Sequence, residues 1–315
     1  MNLVSIIVPM YNEQENVEQC INMLKRQINQ NFDVCFIDDG SKDCTVEKLK
    51  LFLNENVHFK YKIMSQANQG AAAARKTGID NAVTQFIMIC DCDDKISDDL
   101  VNEIYKIHEL HKDVDIILPE LMIQSKDLSW QKLKFYTEES ILKSRDCVKY
   151  SLDGWHIHGC YAIRKEIFQR SYEQYREFNS SNINYINNDE VLTRLNFKNS
   201  KKIIKLKALY YYCYNENSTT KRINKNKYLM VNNAYILYLI FSSDKELNIP
   251  VKNELLNSLW GTFRYMHSNK KELDNLNEWQ LLLKEKLKRI SYYEYVVNLN
   301  FKSKIKLFLL KLLNL

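Results

Sequence analysis

The chain has 315 residues, 45 Lys and Arg against 39 Asp and Glu, a formal net charge of +6, and 45% hydrophobic and 27% charged residues. At ~150 residues per domain, that length holds one large domain or two modest ones, and the composition is that of a folded globule rather than a disordered chain. Six Gly and three Pro exclude collagen-like, linker-like and Gly/Pro-rich repeat architectures.

The first 120 residues alternate short apolar runs with helical periodicity. Residues 4–8 read as a buried strand ended by Pro9, and Val17, Ile21, Leu24 and Ile28 mark a helix over 13–29. A second strand over 32–37 runs into Asp38-Asp39-Gly40-Ser41, which opens a helix with Ser41 or Asp43 as its N-cap. Residues 59–64 form a third strand, the alanine-rich 70–83 a helix, and 85–90 a fourth strand ending at Asp91-Cys92-Asp93-Asp94. Ser97 is the expected cap of a helix to His111, followed by a strand over 114–118. Strands separated by such helices imply a mostly parallel sheet covered on both faces, which binds ligands at the carboxyl ends of its strands. Three of the four strands end in Asn12-Glu13, Asp38-Asp39 or Asp91/Asp93/Asp94.

From 120 to 215 the pattern is mixed, with short strands over 161–164 and 203–206 and a helix from Asp189 to Phe197. Helices are expected over 228–241, 251–266 and 278–290. The domain reading is 1–220 as the catalytic fold, with 1–120 its donor half and 121–220 its acceptor half, and 221–315 as a helical extension. The tail 300–315 has four Lys, no Asp or Glu, and an expected apolar face of Phe301, Ile305, Phe308, Leu312 and Leu315, with Leu307 and Leu310 off that face. This pattern suits an anionic membrane surface, and equally a cover for the core or a second subunit. It is not a nucleic-acid patch.

The eight Cys show no C-x-x-C spacing and sit mostly in apolar runs, as structural thiols do. The run from Leu3 to Met10 lacks a basic flank and is too short for a signal peptide, and no stretch of ~18 apolar residues occurs. The expected setting is cytoplasmic, soluble or peripheral on the inner face of the cytoplasmic membrane.

Glycine-rich phosphate loops of the G-x-G-x-x-G and Walker A kinds are absent, as is H-E-x-x-H. Carboxylates take their place. Asp91, Asp93 and Asp94 repel one another unless a cation shares them, and oxygen-only ligands favour Mg²⁺ or Mn²⁺, with a diphosphate as guest. The competing reading is a solvated acidic turn that caps a helix. Asp38 and Asp39 suit a uracil N3–H or a ribose hydroxyl, or N-capping. The small residues of Gln69-Gly70-Ala71-Ala72-Ala73-Ala74-Arg75 suit a phosphate at a helix start, or plain helix–sheet packing. Trp155-His156-Ile157-His158-Gly159 reads as an aromatic wall for an acceptor sugar, against ordinary packing.

In order, Val8-Pro9-Met10-Tyr11-Asn12-Glu13, Phe36-Ile37-Asp38-Asp39-Gly40-Ser41-Lys42-Asp43, Asn68-Gln69-Gly70-Ala71-Ala72-Ala73-Ala74-Arg75 and Asp91-Cys92-Asp93-Asp94 resemble the motifs of glycosyltransferase family 2. The resemblance implies a GT-A fold and inverting transfer from a nucleotide-diphosphate sugar, most naturally a UDP-sugar, with Mn²⁺ or Mg²⁺. It places Pro9, Tyr11, Glu13, Asn68, Gly70, Arg75 and Cys92 at the donor, Asp38 or Asp39 on uracil, Asp91 on the ribose, and Asp93 on the metal with Asp91 and Asp94 assisting. Asn187-Asn188-Asp189-Glu190 resembles the family's acidic motif, with Asp189 as general base and Glu190 its rival, and 210–218 resembles its Tyr-rich closing strand. The chain departs from the pattern at Lys76, Asn188 and Cys213, where Asn, Glu and Arg are usual. The implied acceptor is a growing surface glycan such as capsule or O-antigen, free or lipid-linked, contacted by Trp155, His156 and His158. Two other readings stand beside it, a sugar-nucleotidyltransferase and an inactive sugar-nucleotide-binding subunit. The glycine-free, acidic segment 11–16 counts against the first, and the intact carboxylates against the second.

Overall fold

The computed structural model describes residues 1–312 except 55, 180, 182, 184, 217–222, 291–294, 297, 298 and 300. It divides into two units. The first comprises 1–151, 155–174 and 192–215, and the second 152–154, 175–191 and 216–315. The second thus takes in 152–154, 175–191 and the start of its last segment, which the sequence reading assigned to the catalytic fold.

The first unit is built on one sheet. Strand β1 (Val4–Met10) is buried along its whole length, as its mostly apolar sequence requires of a central parallel strand, and its one hydroxyl, Ser5 Oγ, pairs with Thr84 Oγ1 at 2.7 Å. It pairs in parallel with β2 (Asp33–Asp38) on one side and β4 (Phe86–Ile89) on the other, and β3 (Lys60–Ser65) pairs with β2. β3 is the edge, and its exposed Lys60 and Lys62 discourage pairing with a foreign strand. The sheet order is β3-β2-β1-β4-β9-β6-β10-β5, with β5 Lys95–Ile96, β6 Ile116–Gln124, β9 Ala162–Arg164 and β10 Ile203–Tyr212. β7 (Trp130–Lys132) pairs with β6 and β8 (Ile141–Leu142) with β10. β9 runs antiparallel between β4 and β6, while β6 and β10 are parallel. The expected mostly parallel sheet flanked by helices is therefore observed. The chain reverses direction of travel at β1, with β2 on one side and β4 on the other, so the crevice at their carboxyl ends is a switch point where ligands bind.

Helices α1 (Val17–Lys25), α2 (Thr45–Leu53), α3 (Ala71–Asn81) and α4 (Leu100–Leu110) link these strands, and α5 (Ser144–Leu152), α6 (Lys165–Phe178) and α7 (Asn188–Asn199) follow. A Cβ at Gly78 would stand 2.4 Å from Ile7 Cγ2, so glycine is what lets α3 lie against β1.

Several boundaries differ from expectation for local reasons. Pro9 lies inside β1, not beyond it. Cys90 N–H donates to Ile7 O and Asp39 N–H to Met10 O, so by alternation the Pro9 nitrogen faces the β4 side after β4 has ended, where no hydrogen bond is lost. Neither Ser41 nor Asp43 is the cap of α2, whose N-cap is Cys44. Ser41 Oγ instead accepts from Asn12 N–H, and Asp43 accepts from Thr45 N–H and Oγ. Nor does Ser97 cap α4, whose N-cap is Asp99. Ser97 exchanges hydrogen bonds with Leu209 and pins β10. β10 is longer than expected and passes Pro119 of β6. Opposite it the register slips between Lys205 and Leu209, and pairing then resumes from Leu209 to Tyr212.

The second unit is helical in its C-terminal part, with α8 (Met230–Phe241), α9 (Asn248–Ser268), α10 (Leu276–Lys288) and α11 (Phe301–Leu312). Trp279, Leu255, Leu259, Leu283 and Tyr295 form its core. The tail helix reverses the expected orientation. Leu307 and Leu310 are fully buried, Ser303 Oγ donates to Asn253 and Lys311 Nζ to the Leu287 and Ile290 carbonyls. Phe301, Ile305, Phe308 and Leu312 are 78%, 42%, 52% and 64% exposed, and Leu315 lies outside the described residues. The helix carries two apolar stripes, and the shorter one, 303–307–310, meets the core. Among the described residues no helix is long and apolar enough to cross a membrane.

Candidate nucleotide-sugar site

The loops after β1 and β2 are sewn together. Asn12 takes the left-handed conformation at φ +57°, tolerated by Asn better than by most side chains. Its N–H donates to Ser41 Oγ at 2.9 Å, and its Oδ1 accepts from Lys42 N–H at 2.8 Å. Glu13 N–H donates to Thr45 Oγ1 at 2.8 Å. Tyr11, just past β1, is 43% exposed and offers a ring at the open end of the strand.

Asp38 and Asp39 are both buried, yet they are held differently. Asp38 Oδ1 accepts from Ser41 N–H at 3.0 Å. Asp39 Oδ1 accepts from Gln69 N–H at 3.0 Å and Gln66 Nε2 at 2.8 Å, and Oδ2 from Gly70 N–H at 2.7 Å. Asn68 Nδ2 donates to the Asp39 carbonyl. The second and third motifs thus form one unit, with Asp39 holding the turn that starts α3. Gly40 completes it at φ +75°, and a Cβ there would lie 3.0 Å from Asn68 N and 3.2 Å from Gln66 O. Gln66 is a site residue that the motif comparison missed. Its only sequence signal is a polar side chain directly after an edge strand.

Arg75 projects from α3 to Asp91, with Nη2 2.8 Å from Oδ2 and 3.1 Å from Oδ1. The three aspartates of the fourth motif have three different settings. Asp91 is held by this guanidinium. Asp93 Oδ2 accepts from Asn215 Nδ2 at 2.7 Å, and its pKa is raised, chiefly by burial and further by Asp91. Asp94 is 3% exposed, with Oδ2 accepting from Tyr210 OH at 2.6 Å and Oδ1 from Cys213 N–H at 2.8 Å. Burial, then Asp91, pushes its pKa up to about 8. Both its oxygens hold the end of β10, which gives Asp94 an anchoring role. Glu13 joins the acidic group. Burial raises its pKa to about 7, Asn16 opposes the rise with a 2.6 Å hydrogen bond, and Asp93 and Asp91 add to it. Cys92 is corrected as a donor contact. Its side chain lies in the core, where the Cys20 thiol and burial push its pKa well up. Among the described residues no three His, Cys, Asp or Glu converge as a ready-made metal cage.

Of the expected acceptor wall, His158 is corrected outright. It is 5% exposed, its Nε2 bonds the Pro119 carbonyl at 2.7 Å and its Nδ1 accepts from Cys160 N–H at 3.1 Å, and burial lowers its pKa to about 4. It is a neutral packing element opposite the bulged part of the sheet. Trp155, at φ +57°, has the Arg194 guanidinium 4.2 Å from its ring centroid, and His156 is exposed. In the second unit, Asn187 at φ +59° turns the chain into the first turn of α7, where Asp189 is exposed and Glu190 half-buried.

Comparison with known proteins follows this geometry. The profile of Glycosyl transferase family 2 matches residues 5–171. Glycosyltransferase GlyG of Streptococcus pneumoniae serotype 4 is 30% identical over 117 residues, covering 37% of this chain and 38% of its own. EpsJ of Bacillus subtilis, an uncharacterized glycosyltransferase, is 27% identical over 231 residues, covering 70% of this chain and 63% of its own. The chain therefore spans less than two thirds of either relative. The crystal structure of S. aureus TarS 1–349 in complex with UDP superposes with a TM-score of 0.67 at 18% identity, over 99% of this chain and 88% of that one. The same protein with UDP-GlcNAc gives a TM-score of 0.64 at 17% identity, over 92% and 82%. That likeness concerns the fold, which is of the GT-A type. With its profile matched over more than half its length, the chain belongs to glycosyl transferase family 2.

Proposed function

We propose that the protein transfers a sugar from a nucleotide-diphosphate sugar, most naturally a UDP-sugar, to a hydroxyl of a growing surface glycan such as capsule or O-antigen, free or lipid-linked, with inversion at the anomeric carbon. The observation that carries this reading is the convergence of Tyr11, Asp38, Asp39, Arg75, Asp91 and Asp93 at the carboxyl ends of β1, β2 and β4. In this account Asp38 or Asp39 accepts the uracil N3–H. Asp38 has the freer carboxylate, and Asp39, with three donors on about four lone-pair positions, keeps room for one more. Asp91 receives the ribose and Tyr11 covers the base.

A divalent Mn²⁺ or Mg²⁺ fits the donor set. The raised pKa values of Asp93 and Glu13 record carboxylates that burial and mutual repulsion leave short of positive charge. Asp93, with Asp91, would hold the ion, leaving coordination positions for diphosphate oxygens. Bound there, it supplies charge neutralisation to the leaving diphosphate.

Inverting transfer needs one base on the attacking face, which removes the acceptor proton as its oxygen meets the anomeric carbon. Asp189 takes that role in this reading. Its exposure favours it over half-buried Glu190. Half-buried Trp155 and exposed His156 are the remaining acceptor contacts of their loop. Contact with an anionic membrane surface through α11 also belongs to the proposal, supported by its exposed Phe301, Ile305, Phe308 and Leu312 beside Lys302 and Lys304.

Nucleotide release from a panel of UDP-, GDP- and dTDP-sugars with Mn²⁺ tests the reading. Release from one donor is expected. No release from any, with UDP still bound, would favour an inactive binding subunit instead.

A further inference from the structure

Outside the carboxylate site, the first unit exposes an aromatic pair on the β6–β7 hairpin. Trp130 is 37% exposed in an otherwise polar strand, and its ring meets Tyr211 of β10 at 5.4 Å between centroids and 81° between planes. The register puts Trp130 opposite Gln124, and Lys132 and Tyr211 both opposite Met122. Paired residues share a face of a sheet, so Trp130, Lys132, Gln124, Met122 and Tyr211 lie together on one face. Leu121, Ile123 and Leu133 face the core on the other.

The hairpin is rigid and strained. Ser125 N–H donates to Ser129 O and Leu128 N–H to Ser125 O, both at 2.9 Å, while Asp127 Oδ1 accepts from Ser129 Oγ at 2.7 Å. Leu128 is held at φ +65° with its side chain 65% exposed, a strained backbone and an uncovered apolar group in one residue. Neither feature serves the core.

The hairpin is also tied to the candidate donor site. Gln124 Nε2 donates to Leu128 O at 3.5 Å and its Oε1 accepts from Tyr214 N–H at 3.2 Å, and the next residue, Asn215, donates to Asp93 at 2.7 Å. Tyr211 pairs with Lys95, two residues beyond Asp93. Polar groups fringe the rings, including the Lys132–Glu120 ion pair at 2.5 Å.

An apolar aromatic surface rimmed by hydrogen-bonding groups matches a pyranose, which carries C–H bonds on its faces and hydroxyls at its edge. We propose that Trp130, braced at about a right angle by Tyr211, is the surface on which a hexose ring of the acceptor glycan stacks, beside the carboxylates assigned to the donor. This inference rests on the glycosyltransferase reading above and names where its acceptor binds.

The test uses the full chain with its four Trp replaced by fluorotryptophan, so that fluorine NMR reports each ring, and Trp130→Phe assigns the relevant signal. Cellobiose, lactose and N,N′-diacetylchitobiose are titrated to about 50 mM, because one stacked ring binds only in the millimolar range. At least one sugar is expected to move the Trp130 signal alone, and Tyr211→Ala to weaken that response about three- to tenfold. A shift confined to another Trp, or none with any of the three sugars, overturns the proposal. So does a Trp130 signal that responds to protein concentration and not to sugar, which would give the face to a second copy of the chain. UDP binding is measured by calorimetry on the same samples. UDP that binds while the sugars do not sinks the platform alone, whereas absence of UDP binding sinks the donor-site reading and the platform with it.

Discussion

Asp94 separates an anchor from a ligand, and its substitution has a calculable cost. The carboxyl is 3% exposed and satisfies two buried donors, Tyr210 OH at 2.6 Å and Cys213 N–H at 2.8 Å. Asp94→Ala strands both, at about 1–3 kcal/mol each, and opens a small cavity, so a loss of about 3–5 kcal/mol is expected. Asp94→Asn keeps an acceptor for Cys213 and an amide for Tyr210, whose hydroxyl can turn to accept. Because the native group titrates at about 8, the amide replaces a largely neutral acid and costs about 1 kcal/mol or less. The sign of the pH dependence follows. A carboxyl whose pKa is raised by folding from 3.8 to about 8 keeps its proton in the fold when the unfolded chain has lost it. Stability present below the lower value is therefore lost as pH rises through that window, and the Asn variant lacks this loss. Urea unfolding followed by circular dichroism, at about pH 5 and about pH 8 with chelator, reads both effects. Equal destabilisation by Asn and Ala, with the same pH slope as the native chain, would refute the anchoring argument.

Gly40→Ala forces a Cβ to 3.0 Å from Asn68 N at φ +75°, and distortion of the Asp39–Gly70 turn is expected to weaken UDP binding at least about tenfold by calorimetry. Asp189→Asn should cut transfer by at least about a hundredfold while UDP affinity stays unchanged, and Glu190→Gln should spare transfer. The opposite pattern moves the base to Glu190. In the tail helix, Leu307→Ala should cost about 2–5 kcal/mol in urea unfolding because Leu307 is fully buried. Phe308→Ala, at 52% exposure, should leave stability unchanged and reduce cosedimentation with anionic vesicles.

The strands and helices of the first 120 residues were legible because they follow from short-range patterns. Continuous apolar runs such as 4–8 belong to buried parallel strands, and polar clusters at their ends have nowhere to go but the carboxyl edge. What individual side chains do there was less legible. Asp38 and Asp39 look equivalent in sequence, yet it is the Asp39 carboxylate that accepts from Gln66, Gln69 and Gly70, across a separation of about thirty residues. Asp94 reads in sequence only as a third carboxylate, and its hold on Tyr210, 116 positions away, is a contact no local pattern gives. His158 reads like its neighbour His156, but its ring turns inward to the Pro119 carbonyl, 39 positions away. Helical periodicity found the longer apolar stripe of α11 and missed that Ser303, with Leu307 and Leu310, seals the core. No sequence pattern singled out Trp130, and its partner Tyr211 could be assigned only through the register of β6.

The central claim is that the carboxyl ends of β1, β2 and β4 hold a nucleotide with a cation on Asp93. Calorimetric titration of UDP into the native chain and into Asp93→Ala, each with and without Mn²⁺, tests it most directly. The account predicts UDP binding that Mn²⁺ strengthens in the native chain, with that gain lost in Asp93→Ala. UDP affinity that is indifferent to Mn²⁺ in both proteins would contradict it, as would absence of UDP binding altogether.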